Sequence, residues 1–207
     1  MTGLRERKRA RTHAAISDAA IALFLEHGFD RVSVAQVAEA AEVSKRTVFA
    51  YFPTKEDLVI HRFADHEAEA ARVVRARPAG VTPLAALRGH FLHGLHERDP
   101  ITGLSDHPHI LALTRMVRDT AALRTRVVRF QEGSQRALAQ ALQDTAGVAS
   151  LTARLAAGQV VGVQWLLAMD NFETLAGGRS ADERCPQAVA DAEHAFTLLA
   201  EGLAGFV

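Results

Sequence analysis

The residues best suited to chemistry lie in one short string. Ser44-Lys45-Arg46-Thr47 places a hydroxyl that can cap a helix directly before two cations and a second hydroxyl. Lys45 and Arg46 in a first helical turn can donate to guanine O6 and N7, and Thr47 can touch a thymine methyl or a phosphate. The free N–H groups and positive dipole end of that turn also attract anions. Phe49 lies on the same segment. Tyr51 and Lys55 follow, a phenol and an ammonium suited to a phosphate backbone.

Other residues support different chemistries less well. There are ten histidines, with His90, His93 and His96 at a spacing of three and His107 and His109 nearby. Neighbours three apart share a helix face and could ligate a metal together. His90 and His96, however, lie about 240° apart around a straight helix, so the three cannot converge. The single cysteine, Cys185, excludes an internal disulfide. Its place at a helix start could lower its pKa, yet one thiol beside Pro186 is a slender basis for redox chemistry. No nucleophile elbow, P-loop, dinucleotide fingerprint or HExxH string occurs, so no enzyme chemistry and no cofactor are expected.

The elements that must position these residues are helices. Period-2 alternation is nearly absent, and Ala, Leu, Arg and Gln are abundant, so the predicted fold is all-α. A first helix runs from about Arg5 to His27 with Ile16, Ala20, Leu23 and Phe24 on one face, and Gly28 ends it. Ser33-Val34-Ala35-Gln36 is a capping box that opens a short helix ending near Ala40-Ala41. Ser44 caps a third, from Lys45 to about Tyr51. Val34, Val37, Ala38, Val43 and Val48 form the small core between these two. Thr54 opens a fourth helix with acids in its first turn. Thr82-Pro83 caps a helix to about Glu97. A loop runs from Asp99 to His107, and Pro108 starts another helix. A long helix spans about Ala121 to Gln143. Ser150 caps the next, up to Gly177-Gly178. Ser180-Ala181-Asp182-Glu183 is a second capping box, opening a last helix to about Gly205.

Two short helices joined by a tight turn, the second starting with cations, make a helix-turn-helix. In that motif the second helix enters the major groove and its N-terminal residues meet base edges. The plain alternative is a solvated, capped helix start, and short helix pairs also occur in enzymes.

Bulk properties bound the remainder. Lys+Arg and Asp+Glu balance at 24 each, so no global field points to a polyanion or a membrane. The string Arg5-Glu6-Arg7-Lys8-Arg9-Ala10-Arg11 is nevertheless a basic arm. No run of about 18 apolar residues suggests a membrane span, and Thr12, His13, Ser17 and Asp18 interrupt any signal-peptide core. A cytoplasmic location is the expectation.

Residues 8–60 closely resemble the DNA-binding domain of the TetR family of bacterial regulators. The resemblance rests on Ile16, Ala19-Ala20, Leu23-Phe24 and His27-Gly28-Phe29, then Ser33-Val34, Val37-Ala38, Ala41-Glu42-Val43-Ser44 and Thr47-Val48-Phe49, and finally Tyr51-Phe52-Pro53-Thr54-Lys55-Glu56-Asp57-Leu58. It implies a three-helix DNA-binding domain over residues 1–53 and a helical ligand-binding and dimerisation domain over 54–207. It implies a repressor released from its double-stranded operator by a small organic molecule. It places Ser33 and Tyr51 on phosphates, Lys45, Arg46, Thr47 and Phe49 in or beside the groove, and Lys55 on the backbone; the capping Ser44 is counted with them as a DNA-binding candidate. Glu42 departs from the pattern, since a glycine usually stands in this turn; a left-handed conformation there would strain it.

The resemblance also implies a homodimer through the helices at about 150–177 and 181–205. The stretch Gly158 to Leu167 is too apolar for a helix with one wet side, and Gly158 and Gly162 permit close approach. Candidate ligand-lining residues are Phe91, His93, Met116, Phe130, Gln164, Trp165, Met169 and Asn171, large apolar groups with a few polar ones. Each could equally be plain core. The segment from Thr114 to Leu142 resembles a TetR subgroup associated with acyl-CoA-like ligands. A helical adaptor that binds no DNA is the competing class, but it leaves Lys45, Arg46 and the basic arm without a role.

Overall fold

The computed structural model describes residues 2–202, apart from a few side chains. The expected end of the last helix at Gly205, and the side chain of Arg5 in the basic arm, lie outside the described residues. Among the described residues the regular structure is helical, without a strand. Ten α-helices occur in order: α1 (Thr2–His27), α2 (Val34–Ala40), α3 (Lys45–Tyr51), α4 (Asp57–Glu67), α5 (Glu69–Ala76), α6 (Pro83–His96), α7 (Pro108–Asp119), α8 (Ala121–Ala146), α9 (Ser150–Ala176) and α10 (Ala181–Gly202). A 3-10 turn, Pro100–Thr102, follows α6.

The chain divides into two compact units. One comprises the chain up to Arg62 with Ala112–Val127; the other comprises Phe63–Leu111 and the chain from Val128 onward.

In the first unit, Ile16, Ala20, Ile21 and Phe24 of α1 are buried at helical spacing, while Leu23 is only half-buried. Phe29, Val32, Val37, Ala38 and Val48 are buried as well, with the Phe24 and Phe29 rings 4.9 Å apart, α1 packed on α2 and α2 on α3. Each large side chain so buried stabilises by roughly 1.5–3 kcal/mol. Val34 and Val43, expected in this core, are half-buried. Gly28 ends α1 at φ +88°, its N–H bonded to the Phe24 carbonyl at 2.9 Å. The capping box at Ser33 forms from both sides: its Oγ accepts from Gln36 N–H at 3.3 Å, and its own N–H donates to Gln36 Oε1 at 2.8 Å. Thr54 stands outside the fourth helix, where it forms a similar reciprocal cap with Asp57.

In the second unit, α10 packs on α6 and α9, and α5 packs on α6. Ala153, Ala156, Ala157 and Val160 of α9 are buried in a core with Leu87, Leu95, Leu138 and Phe196. A turn at Ala68 separates α4 from α5. Two expectations change here. Ser150 is the first helical residue of α9; the cap position falls on Ala149, whose side chain cannot accept a hydrogen bond. The expected loop from Asp99 to His107 contains the 3-10 turn, capped by the Asp99 carboxylate on Ile101 N–H at 3.1 Å. No helix of the described residues is long and apolar enough to cross a membrane.

Candidate nucleic-acid interface and internal cavity

The helix pair α2–α3 is held at a small, specific turn. Val43 N–H donates to the Ala38 carbonyl at 2.9 Å and Glu42 N–H to the Glu39 carbonyl at 3.1 Å, the paired bonds of a Schellman motif. That motif needs a left-handed residue, and Glu42 supplies it at φ +53°. The strain expected for a non-glycine residue at this position is therefore present.

Helix α3 begins at Ser44, whose Oγ accepts from Thr47 N–H at 3.0 Å and lies 2.8 Å from Thr47 Oγ1. Val48 is buried and anchors the helix inward. The opposite face is open: Lys45 and Arg46 are exposed, and Phe49 is 43% exposed. The Lys45 ammonium sits 5.9 Å from the Phe49 ring centroid, so cation and ring form one patch. Tyr51 is half-buried, with the Arg9 guanidinium 5.9 Å from its ring and His13 edge-on at 6.2 Å. Ser33 is exposed. Of the eight candidate interface residues, Ser33, Ser44, Lys45, Arg46 and Phe49 are exposed, and Thr47 and Tyr51 are half-buried. Lys55 is turned inward. Its ammonium donates to the Phe29 carbonyl and lies 4.4 Å from the Phe29 ring. Burial pushes its pKa down. It can reach a phosphate only by giving up these contacts.

The second unit holds a cavity of about 100 Å³. Of the candidate ligand residues, Phe91, Phe130, Gln164 and Trp165 line it. The other four do not. His93 is on the exposed face of α6, Met169 is half-buried on α9, and Met116 belongs to the first unit. Asn171 is buried, with its amide used on both sides: Nδ2 donates to the Thr102 carbonyl at 2.9 Å, and Oδ1 accepts from Arg184 Nε at 3.0 Å. Arg184, equally buried, is paired with Asp170 and Asp191 at 2.6 and 2.7 Å.

The sequence reading missed the polar end of the cavity. Glu69 of α5 receives His66 of α4 on one oxygen (Nδ1 to Oε2, 2.8 Å) and His90 of α6 on the other (Nε2 to Oε1, 3.3 Å). Hydrogen bonds from His66 and then His90 hold the Glu69 carboxyl down to about 2. The same bond raises the pKa of His90. His90 therefore works with residues of two other helices, not with His93 and His96 on its own. The only local clue was the His66/Glu69 spacing, and three helices had to be assembled before it acquired meaning.

Residues 16–61 match the family model described as bacterial regulatory proteins, tetR family. The HTH-type transcriptional regulator TcmR of Streptomyces glaucescens is 31% identical over 179 residues, covering 81% of this chain and 79% of that protein. Among solved structures, GusR of Salmonella enterica superposes with a TM-score of 0.58 at 18% identity, covering 93% of this chain and 95% of its own. FadR of Bacillus subtilis, solved in complex with stearoyl-CoA, gives 0.54 at 20% identity, covering 91% and 98%. These two likenesses establish the fold. The kinship with TcmR extends well beyond the helix-turn-helix, and the chain belongs to the TetR family of bacterial transcriptional regulators, DNA-binding proteins and not enzymes.

Proposed function

We propose that the protein is a repressor that reads its operator as a homodimer and is released by a small organic ligand. The exposed, serine-capped start of α3 carries this reading: Lys45 and Arg46 stand free on a helix whose inner face is locked by Val48. In this reading residues 1–53 bind DNA and residues 54–207 bind ligand and partner. Lys45, Arg46, Thr47 and Phe49 meet bases, while Ser33, Ser44 and Tyr51 meet phosphates. Lys55 sets the position of α1's last turn and loop, and contributes to the backbone field from there. The setting is the cytoplasm, where the DNA is.

Dimerisation is supported by α9. Leu151, Leu155 and Leu166 are 64, 58 and 68% exposed, and Gly158 and Gly162 have open space where a side chain would be. At 100° per residue these five positions fall on one stripe. Leu198 of α10 is exposed as well. A chain that buries its core carefully elsewhere leaves this apolar strip for a second copy.

Ligand coupling is supported by helix continuity. Helix α4 begins at Asp57, which accepts two bonds from Arg126 of α8, and it carries His66 to the cavity. Helix α8 carries Phe130 one turn beyond Arg126. A ligand can shift DNA affinity only through its difference in affinity for the two states. The apolar lining at Leu87, Val161 and Ala168 also favours a second ligand class, the acyl chain of an acyl-CoA-like molecule, with its phosphates held outside.

Binding to the protein's own upstream intergenic DNA, against a scrambled duplex at two salt concentrations, tests the reading. The native fragment binds more tightly, and both bind more weakly as salt rises. Arg46→Ala and Lys45→Ala each reduce the preference for the native fragment by about 1–3 kcal/mol. Lys55→Ala weakens both duplexes alike. Equal loss on native and scrambled DNA for all three variants would remove the base-reading assignment.

A further inference from the structure

The cavity's lining carries more information than its volume. Three aromatic residues, Phe91, Phe130 and Trp165, line it. So do two acids, Glu69 and Asp99, with His66 and His90 bonded to Glu69. Among the described residues that line it there is no lysine or arginine. Helices α8 and α9 add only uncharged polar groups, Gln131, Ser134 and Gln164.

An anionic ligand finds no fixed positive charge in such a wall. Its carboxylate or phosphate would face two acids and rely on protonated imidazole alone. A cation finds the opposite: aromatic faces with negative quadrupoles and two carboxylates. We propose, building on the reading of this cavity as the ligand site, that it takes an aromatic organic cation, whose ring packs among Phe91, Phe130 and Trp165 and whose charge is set against Glu69 and Asp99. At about 100 Å³ the space is somewhat smaller than the ~150 Å³ that admits benzene. One ring with a small ammonium enters with side-chain movement; a larger ligand opens the cavity further.

The cluster adds a signature. The charge of Glu69 is balanced by its bonds to His66 and His90. A bound ammonium takes over that role, so the His90 proton leaves to solvent. Binding a permanently charged ligand then tightens as pH rises through the titration of His90, by up to tenfold per pH unit. Among the described residues, the groups facing His90 from the surrounding elements are His66, Glu69 and Asp99, and no charge from α8 or α9 lines the site.

Trp165 is the only tryptophan in the chain, and it lines the cavity, so its emission reports occupancy directly. Three single-ring probes of similar size are titrated into the full-length protein between pH 6 and 8.5: phenyltrimethylammonium, its uncharged isostere tert-butylbenzene, and benzoate. The expected result is that the cation shifts Trp165 emission at least tenfold more tightly than either of the others, and more tightly at high pH. Glu69→Gln removes the preference, and His90→Asn keeps binding but flattens its pH dependence, with circular dichroism confirming that each variant is folded. Equal or tighter binding of tert-butylbenzene or benzoate overturns the cation assignment and leaves the cavity as a ligand site. No response to any of the three at millimolar concentration overturns the cavity as the ligand site as well.

Discussion

Glu42 holds the helix-turn-helix at a conformational cost. Its φ of +53° is imposed by the two Schellman bonds that close α2, and no side-chain bond of Glu42 offsets it among the described residues. Glycine adopts that conformation without a Cβ penalty, although it also gains freedom in the unfolded chain. Glu42→Gly is therefore expected to stabilise the first unit by up to about 1 kcal/mol, measured by urea unfolding. It leaves the exposed face of α3 unaltered, so preference for the native operator stays the same. A loss of stability would mean that Glu42 has a compensating partner in the folded protein.

Arg98 at the end of α6 repeats the device, at φ +57°, and leads into the 3-10 turn that borders the cavity. Here the tolerance of the backbone is smaller. A Cβ on Gly103, itself at φ +72°, would lie 1.9 Å from the carbonyl oxygen of Ala168 in α9. Turn and helix are in main-chain contact, and Asn171 ties them together through the Thr102 carbonyl. Thr102, Asp99 and Ala168 all line the cavity. Gly103→Ala is expected to cost at least about 2 kcal/mol and to abolish the Trp165 response to ligand. A variant with unchanged midpoint and unchanged response would show that the turn is not needed to shape the site. The same packing explains why Asn171, attractive as a ligand contact from its sequence position, is a strut: its one amide is consumed between the turn and Arg184.

Each of the two units carries a titrating group that links stability to pH. In the first, burial, with help from His13 and Arg62, lowers His61 from 6.5 to about 4. The unfolded chain takes up a proton there that the folded unit refuses, so stability falls as pH drops from 6.5 towards 4. In the second, Glu69 is depressed to about 2, so its contribution is complete above 4.5 and lost only as pH falls through 2. His90 is raised, so its contribution is complete below 6.5 and fades at higher pH. The midpoint temperature should thus decline between pH 6.5 and 4, and His61→Phe should flatten that decline. An unchanged acid slope in the variant would assign the effect to other groups.

The parts legible in the chain alone are those written within a few consecutive residues. Gly28, Ser33 with Gln36, Ser44, Thr82 with Pro83, and Ser180 with Glu183 marked helix ends correctly, because a cap is a bond between neighbours. Helix α3 was legible for the same reason: its serine cap, its cations and its buried valine are contiguous. The break at Ala68 was not, since nothing in Glu67-Ala68-Glu69 disfavours a helix and the turn arises in the folded chain. The cavity was half visible. Phe91, Phe130, Gln164 and Trp165 stand out by type, whereas the bond of Glu69 to His66 and His90 depends on three helices meeting. Local geometry is encoded in local sequence; a charge balance among distant residues exists only once hydrophobic burial has brought their helices together.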